Sequence, residues 1–156
     1  MPDYIIAIDP GVSGSAVVID PVTREIEDIH IFESMFSLQA FALDWSRVSR
    51  NVAIVMEKVH GTPIQGSKQI SSMMKNVGHW EAMMYAHFPR APFHLVTPQE
   101  WQRNMGLKAG DYAGRKRELK TIARDRYPDG RVTLATADAL LIADYAAKHW
   151  PVGKLL

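Results

Sequence analysis

Tyr4-Ile5-Ile6-Ala7-Ile8-Asp9-Pro10-Gly11 restricts the fold of this chain more than any other stretch. Five apolar residues in a row, three of them Ile, show no polar alternation, the pattern of a strand covered on both faces. Such a strand lies inside a sheet that carries helices on each side, so the chain is expected to be α/β. Pro10 cannot donate to a ladder and Gly11 tolerates positive φ, so the backbone leaves the sheet there with the Asp9 carboxylate at its rim. Asn51-Val52-Ala53-Ile54-Val55-Met56-Glu57 repeats the arrangement, an apolar strand running straight into Glu57. Each acid alone reads equally well as a polar strand terminus.

Between these runs, Gly11-Val12-Ser13-Gly14-Ser15 joins the first strand to Ala16-Val17-Val18-Ile19 as a hairpin. Glu25 to Phe32 alternates and reads as an outer strand, with Ile26, Asp28 and His30 on one side and Ile29 and Ile31 on the other. Met35 to Arg50 has a near-helical apolar period and serves as the crossover that sets the second acid-bearing strand parallel to the first. Lys58 to Gly66 is an irregular loop at the same rim, and Ser67 to His87 is an amphipathic helix with a stripe of Met73, Val77, Trp80 and Met84. Gly78 and Ala82 on that helix would let a second helix approach closely. The stripe serves either the chain's own core or a second copy of the protein.

Ala91 to Val96 is a short last strand. Thr97-Pro98-Gln99-Glu100 then has the residues of a helix start, with Thr97 as N-cap, Pro98 at the first position and Glu100 closing a capping box. A loop from Lys108 to Gly114 leads to the basic helix Arg115-Lys116-Arg117-Glu118-Leu119-Lys120. The final helix, Ala135 to His149, carries a third acid. Leu141, Ile142 and Tyr145 share a face with Asp138, so that carboxylate points toward the sheet, whereas Asp144, roughly 120° away on the wheel, is expected in solvent. A buried carboxylate needs a cation or a donor, and a structural ion pair with Lys or Arg is the plain alternative to a functional role for Asp138.

The length, 156 residues, suits one domain with a real core. With 47% hydrophobic and 22% charged residues and no apolar run near the ~18 residues of a membrane span, nothing points to a membrane protein. Without Cys there is no disulfide framework, and the start lacks a signal segment, so a cytoplasmic setting is expected. The net charge of +1 conceals a division: Asp20 to Asp44 holds six acids and one base, net −5, and Arg90 to Arg131 holds ten bases and five acids, net +5. The basic half points toward a polyanion or is simply a solvated helix face.

Three acids without a His or Cys ligand set describe an all-oxygen site for a hard divalent cation, Mg²⁺ or Mn²⁺. Two such ions about 4 Å apart activate water and stabilise a leaving oxygen in phosphodiester hydrolysis. No Gly-x-Ser-x-Gly elbow and no P-loop is present.

The order of the pieces resembles the RuvC-type Holliday junction resolvases of the ribonuclease-H-like superfamily, in particular their bacteriophage and organellar branch. The resemblance covers nearly the whole chain. It rests on Ile8-Asp9-Pro10-Gly11, Met56-Glu57-Lys58-Val59-His60, Gly78-His79-Trp80-Glu81, Val96-Thr97-Pro98-Gln99-Glu100-Trp101, Lys116, and Ala137-Asp138-Ala139-Leu140-Leu141-Ile142-Ala143. It implies a ribonuclease-H-like fold, with a mixed five-stranded sheet and helices on both faces. It also implies a homodimer that cuts paired strands of branched DNA, a four-way junction. Asp9, Glu57 and Asp138 would be catalytic acids binding two metal ions, and Lys116 a phosphate or transition-state contact. Arg115, Lys116, Arg117, Lys120, Lys58 and His60 would meet DNA.

One departure from the family stands out. Its members carry a fourth acid shortly before the last one, where this chain has Thr133, Leu134 and Ala135. Either three acids and a substrate phosphate complete the metal sites, or the chain binds junctions and cleaves them weakly. A sugar-kinase or chaperone-type ATPase shares the first strand and hairpin but needs two such domains, more chain than is here.

Overall fold

The computed structural model describes residues 1–11, 13–59, 66–152 and 154–155. Strands β1 (Tyr4–Asp9), β2 (Ser15–Ile19), β3 (Ile26–Ile31), β4 (Val52–Glu57), β5 (Phe93–Val96) and β6 (Lys154–Leu155) form one mixed sheet in the order β3-β2-β1-β4-β5-β6. The five expected strands are present, and the short β6 adds an antiparallel edge to β5. β1, β4 and β5 run parallel, while β2 and β3 run antiparallel to their neighbours. The crossover between β1 and β4 is α1 (Met35–Val48), capped by a reciprocal Ser34–Ser37 box.

Because strand side chains alternate, the two central strands feed two separate cores. Ile6, Ile8, Val52, Ile54 and Met56 pack against α1 and α2 (Ser67–His87). Ile5, Ala7, Ala53 and Val55 pack against α5 (Ala137–His149), with α3 (Pro98–Trp101) and α4 (Tyr112–Arg126) joining the same cluster through Trp101, Leu119 and Ala123. Residues 139–143 of α5 are all fully buried, which is why that helix is apolar on nearly every side. Among the described residues no helix is long and apolar enough to cross a membrane.

Three expectations need correction. β3 does not alternate throughout: Val18 pairs with Asp28 and Ile19 with Ile26, so Glu27 is an extra residue in the ladder. That bulge turns Ile26 to the same core as Ile29. Asp144 is not in solvent. It is 4% exposed, and its carboxylate accepts from Arg126 Nη1 at 2.6 Å, Lys148 Nζ at 2.7 Å and the Tyr127 hydroxyl at 3.2 Å. Helix α4 and the start of the following turn close over it, so the helical wheel of α5 alone could not place it. The stripe on α2 is also divided: Trp80 and Met84 are buried in the chain's own core, while Gly78 and Ala82 lie on the opposite, exposed side beside Met74 and Tyr85. Met84 is therefore unavailable to a second copy.

Candidate active site

Parallel pairing of β1 with β4 sets Ile8 beside Met56. One step further, Asp9 and Glu57 end adjacent strands that a sheet spaces about 4.8 Å apart. Both follow the alternation of Ile5 and Ala7 or Ala53 and Val55, so both side chains emerge on the face covered by α5. The backbone after Asp9 turns back at once: Asp9 Oδ1 accepts the Gly11 N–H at 3.1 Å, and Asn76 Nδ2 of α2 donates to the Gly11 carbonyl at 2.8 Å. At Gly14 a Cβ would come within 2.8 Å of Trp80 Nε1 and 2.9 Å of the Asp9 carbonyl, so this hairpin closes only around glycine.

Asp138 reaches the same place from the first turn of α5 and is 5% exposed. Its Oδ2 is ion-paired with Lys116 Nζ of α4, and its Oδ1 is buried with no hydrogen-bond partner among the described residues. Lys116 is therefore the cation that the buried Asp138 carboxylate requires. The ion-pair alternative for Asp138 and the clustering of three acids turn out to be compatible.

The electrostatics bind the four groups together. Burial lifts the Asp9 carboxyl from 3.8 to about 6, helped by the charge of Asp138 and opposed by Lys116 and the Gly11 N–H. Burial likewise lifts Glu57 from 4.5 to about 7, reinforced by Asp9 and opposed by the Trp101 indole, whose Nε1–H donates to Glu57 Oε2 at 2.7 Å. Burial disfavours the charge of Lys116, but Asp138 and Asp9 overcome it and hold the ammonium above its ordinary range. Lys116 thus remains a cation at neutral pH.

Trp101 is a site residue whose role was not read from sequence. The signal was available in part: the capping box forms as expected, with the Glu100 carboxylate accepting the Thr97 N–H at 2.6 Å, and it fixes Trp101 at the end of the first turn after β5. β5 neighbours β4, with Val96 opposite Glu57, which brings the indole within reach of that acid.

The basic residues divide. Arg115 and Arg117 are exposed, Lys120 is half-buried, and Lys58 is exposed beside Glu57. Arg115 Nη2 donates to Gln102 Oε1 at 3.0 Å. His60 lies outside the described residues. In place of the fourth acid, Thr133 and Thr136 hydroxyls close a turn at the start of α5, and the Ala135 carbonyl accepts from Ser15 Oγ at 2.7 Å. This segment ties β2 to α5.

Among the described residues no three His, Cys, Asp or Glu side chains are drawn together as a ready metal cage. The donor chemistry nevertheless fits a hard divalent cation: three oxygen-only side chains lie near enough to feel one another's charge, the buried Asp138 Oδ1 lacks a partner among the described residues, and burial and mutual repulsion hold Asp9 and Glu57 above the ordinary carboxylate range.

The sheet order and the helices on both faces are those of the ribonuclease-H-like fold that RuvC also has. RuvC of Thermus thermophilus in complex with a Holliday junction substrate superposes with a TM-score of 0.71 at 14% identity, over 98% of this chain and 99% of that one. A second Thermus thermophilus RuvC structure gives 0.68 at 15% identity, with 98% and 99% covered. The Fowlpox virus resolvase in complex with substrate Holliday junction DNA gives 0.51 at 14% identity, with 93% and 97% covered. No protein-family model and no curated protein matches the chain.

Proposed function

We propose that this chain is a metal-dependent endonuclease that resolves four-way DNA junctions by phosphodiester hydrolysis in paired strands. The observation that carries the proposal is the clustering of Asp9, Glu57, Asp138 and Lys116 on one face of a sheet whose fold is shared with proteins solved in complex with Holliday junctions. Asp9, Glu57 and Asp138 would hold two Mg²⁺ ions, or Mn²⁺, with a substrate phosphate supplying what a fourth acid would otherwise give. When bound, these ions polarise the phosphate, lower the pKa of water and neutralise the leaving oxygen.

The residues of the chain supply positioning and charge. In the hydrolysis a water oxygen adds to phosphorus, one P–O ester bond breaks, the water gives up a proton and the departing oxygen gains one. Lys116 stays protonated and offers Nζ to a phosphate oxygen, so it contributes charge rather than a base. Trp101 fixes the orientation of Glu57 through the indole N–H. Arg115, Arg117, Lys120 and Lys58, with His60, supply flanking phosphate contacts that release counterions on binding. A two-fold pair of chains would set two sites against one junction, with the exposed side of α2 at Gly78 and Ala82 as the contact.

The second reading, a junction-binding module with weakened cleavage, is favoured by Thr133, Leu134 and Ala135 where a fourth acid is expected. Labelled four-way junction, fork and duplex incubated with the protein in Mg²⁺ separate the two. Paired cuts in the junction, abolished by Asp9→Asn or Glu57→Gln with affinity retained, support the nuclease. Tight junction binding without cutting supports the module. Cleavage surviving in both variants would remove the assignment of the acids.

A further inference from the structure

Beside the acid cluster stands an aromatic ring that neither the core nor the chemistry above employs. Tyr112 opens α4 and is 76% exposed, among the most open of the large hydrophobic side chains. Its backbone is nevertheless firmly placed. Asp111 caps the helix by accepting the Gly114 N–H at 3.2 Å, and a Cβ at Gly114 would fall 2.6 Å from Asp111 Oδ1 and 2.7 Å from the Ala109 Cβ. The Glu118 carboxylate takes the N–H groups of Lys108 and Ala109 at 3.0 to 3.2 Å, which ties the preceding loop to the next turn of the helix. One turn along, Lys116 holds its ammonium 5.8 Å from the centre of the Tyr112 ring while pairing with Asp138. An exposed flat ring on a fixed backbone, touching the cation that faces the reacting site, is a surface prepared for another flat group.

We infer that Tyr112 is a stacking platform for a nucleobase next to the phosphate that Lys116 engages, and so a positioning residue that favours DNA whose bases are unstacked at that point. The inference rests on the nuclease reading above. A base in continuous duplex has both faces occupied by its neighbours, whereas a base at a strand exchange can offer one face to the ring. The platform would therefore select distorted DNA without reading its sequence, since every base presents a π-face. With the Lys116 cation over one face of the ring and the base on the other, the adjoining phosphate would lie beside the acids.

The test uses a junction carrying 2-aminopurine beside the cut phosphate, bound by protein with the Asp9→Asn change so that no strand is cut. Quenching of the fluorophore is expected with Tyr112 and with Tyr112→Phe or Tyr112→Trp. Tyr112→Ala is expected to lose the quenching and about tenfold in junction affinity, with duplex affinity and melting temperature unchanged. Equal quenching and affinity in Tyr112→Ala would overturn the inference. Equal quenching with slower cleavage in the Asp9-bearing Tyr112→Ala protein would overturn it too, because the ring would then act only through Lys116. If the unmodified protein neither prefers nor cuts junctions, it is the nuclease reading itself that fails, before Tyr112 is varied.

Discussion

The Trp101 indole N–H meets Glu57 Oε2 at 2.7 Å, joining a residue from the helix after β5 to the acid that ends β4. This bond favours the ionised form of a carboxyl that burial pushes toward neutrality. Trp101→Phe keeps an apolar ring and removes the donor, so Glu57 should hold its proton to a higher pH. The acid limb of the cleavage pH profile should move upward, and stability should fall by about 1–3 kcal/mol from the unfilled space. A pH profile identical to that of the unmodified protein would mean the bond does not influence ionisation.

The metal-free protein should be most stable on the acid side. Folded Glu57 keeps its proton to about 7 and Asp9 to about 6, whereas the unfolded chain releases them near 4.5 and 3.8. Between those limits the native state binds more protons, so stability falls as pH rises toward 7. Melting temperatures measured in chelator from pH 4.5 to 7.5 should show this loss, and Mg²⁺ should reduce it. A metal-independent slope would argue against ion binding at these acids.

Lys116→Met should reduce cleavage far more than junction affinity, whereas Arg117→Met, at an exposed position, should act on affinity or not at all. Removing Lys116 also leaves Asp138 buried beside Asp9. Stability without metal should drop by about 3 kcal/mol. The sequence alone suggests that Asp138→Asn would be neutral or stabilising in the absence of metal, by relief of repulsion. The ion pair reverses that expectation: the variant loses its attraction to Lys116, and chemical denaturation should show a net loss.

Asp144→Asn should destabilise the fold by about 3 kcal/mol or more, since it leaves Arg126 and Lys148 without their shared carboxylate. An exposed acid would give a change within about 0.5 kcal/mol. Urea denaturation distinguishes these directly.

Gly78→Trp should leave the fold intact, because a Cβ there has nothing within 4 Å. Its effect should fall on assembly. Sedimentation should find a dimer for the unmodified protein and a folded monomer for the variant, and a dimer in both would place the contact elsewhere.

The parts legible from sequence were those fixed by local chemistry. The Thr97–Glu100 box follows from residue types at set spacing, and the inward aim of Asp138 follows from the apolar company on its own helix. The acids at the ends of β1 and β4 were likewise visible as apolar runs broken by one carboxylate. What failed depended on a second element. The environment of Asp144 is made by Arg126 and Tyr127, and the partner of Asp138 arrives from α4. Neither meeting leaves a trace in the spacing of one helix. The bulge at Glu27 has no residue signature either, since no Gly or Pro marks it.

Helix α4 is fastened to α5 at both ends, by Lys116 on Asp138 near its start and by Arg126 on Asp144 at its finish. The two fastenings differ in kind. The far one is shared with Lys148 and Tyr127 and involves nothing at the acid cluster, whereas the near one uses a carboxylate that a metal ion would also claim. Competition for Asp138 would therefore undo that pairing alone: buried Leu119 and Ala123 and the Asp144 anchorage would keep the helix seated, and the exchange would free the Lys116 ammonium for a substrate phosphate while its backbone stays in place.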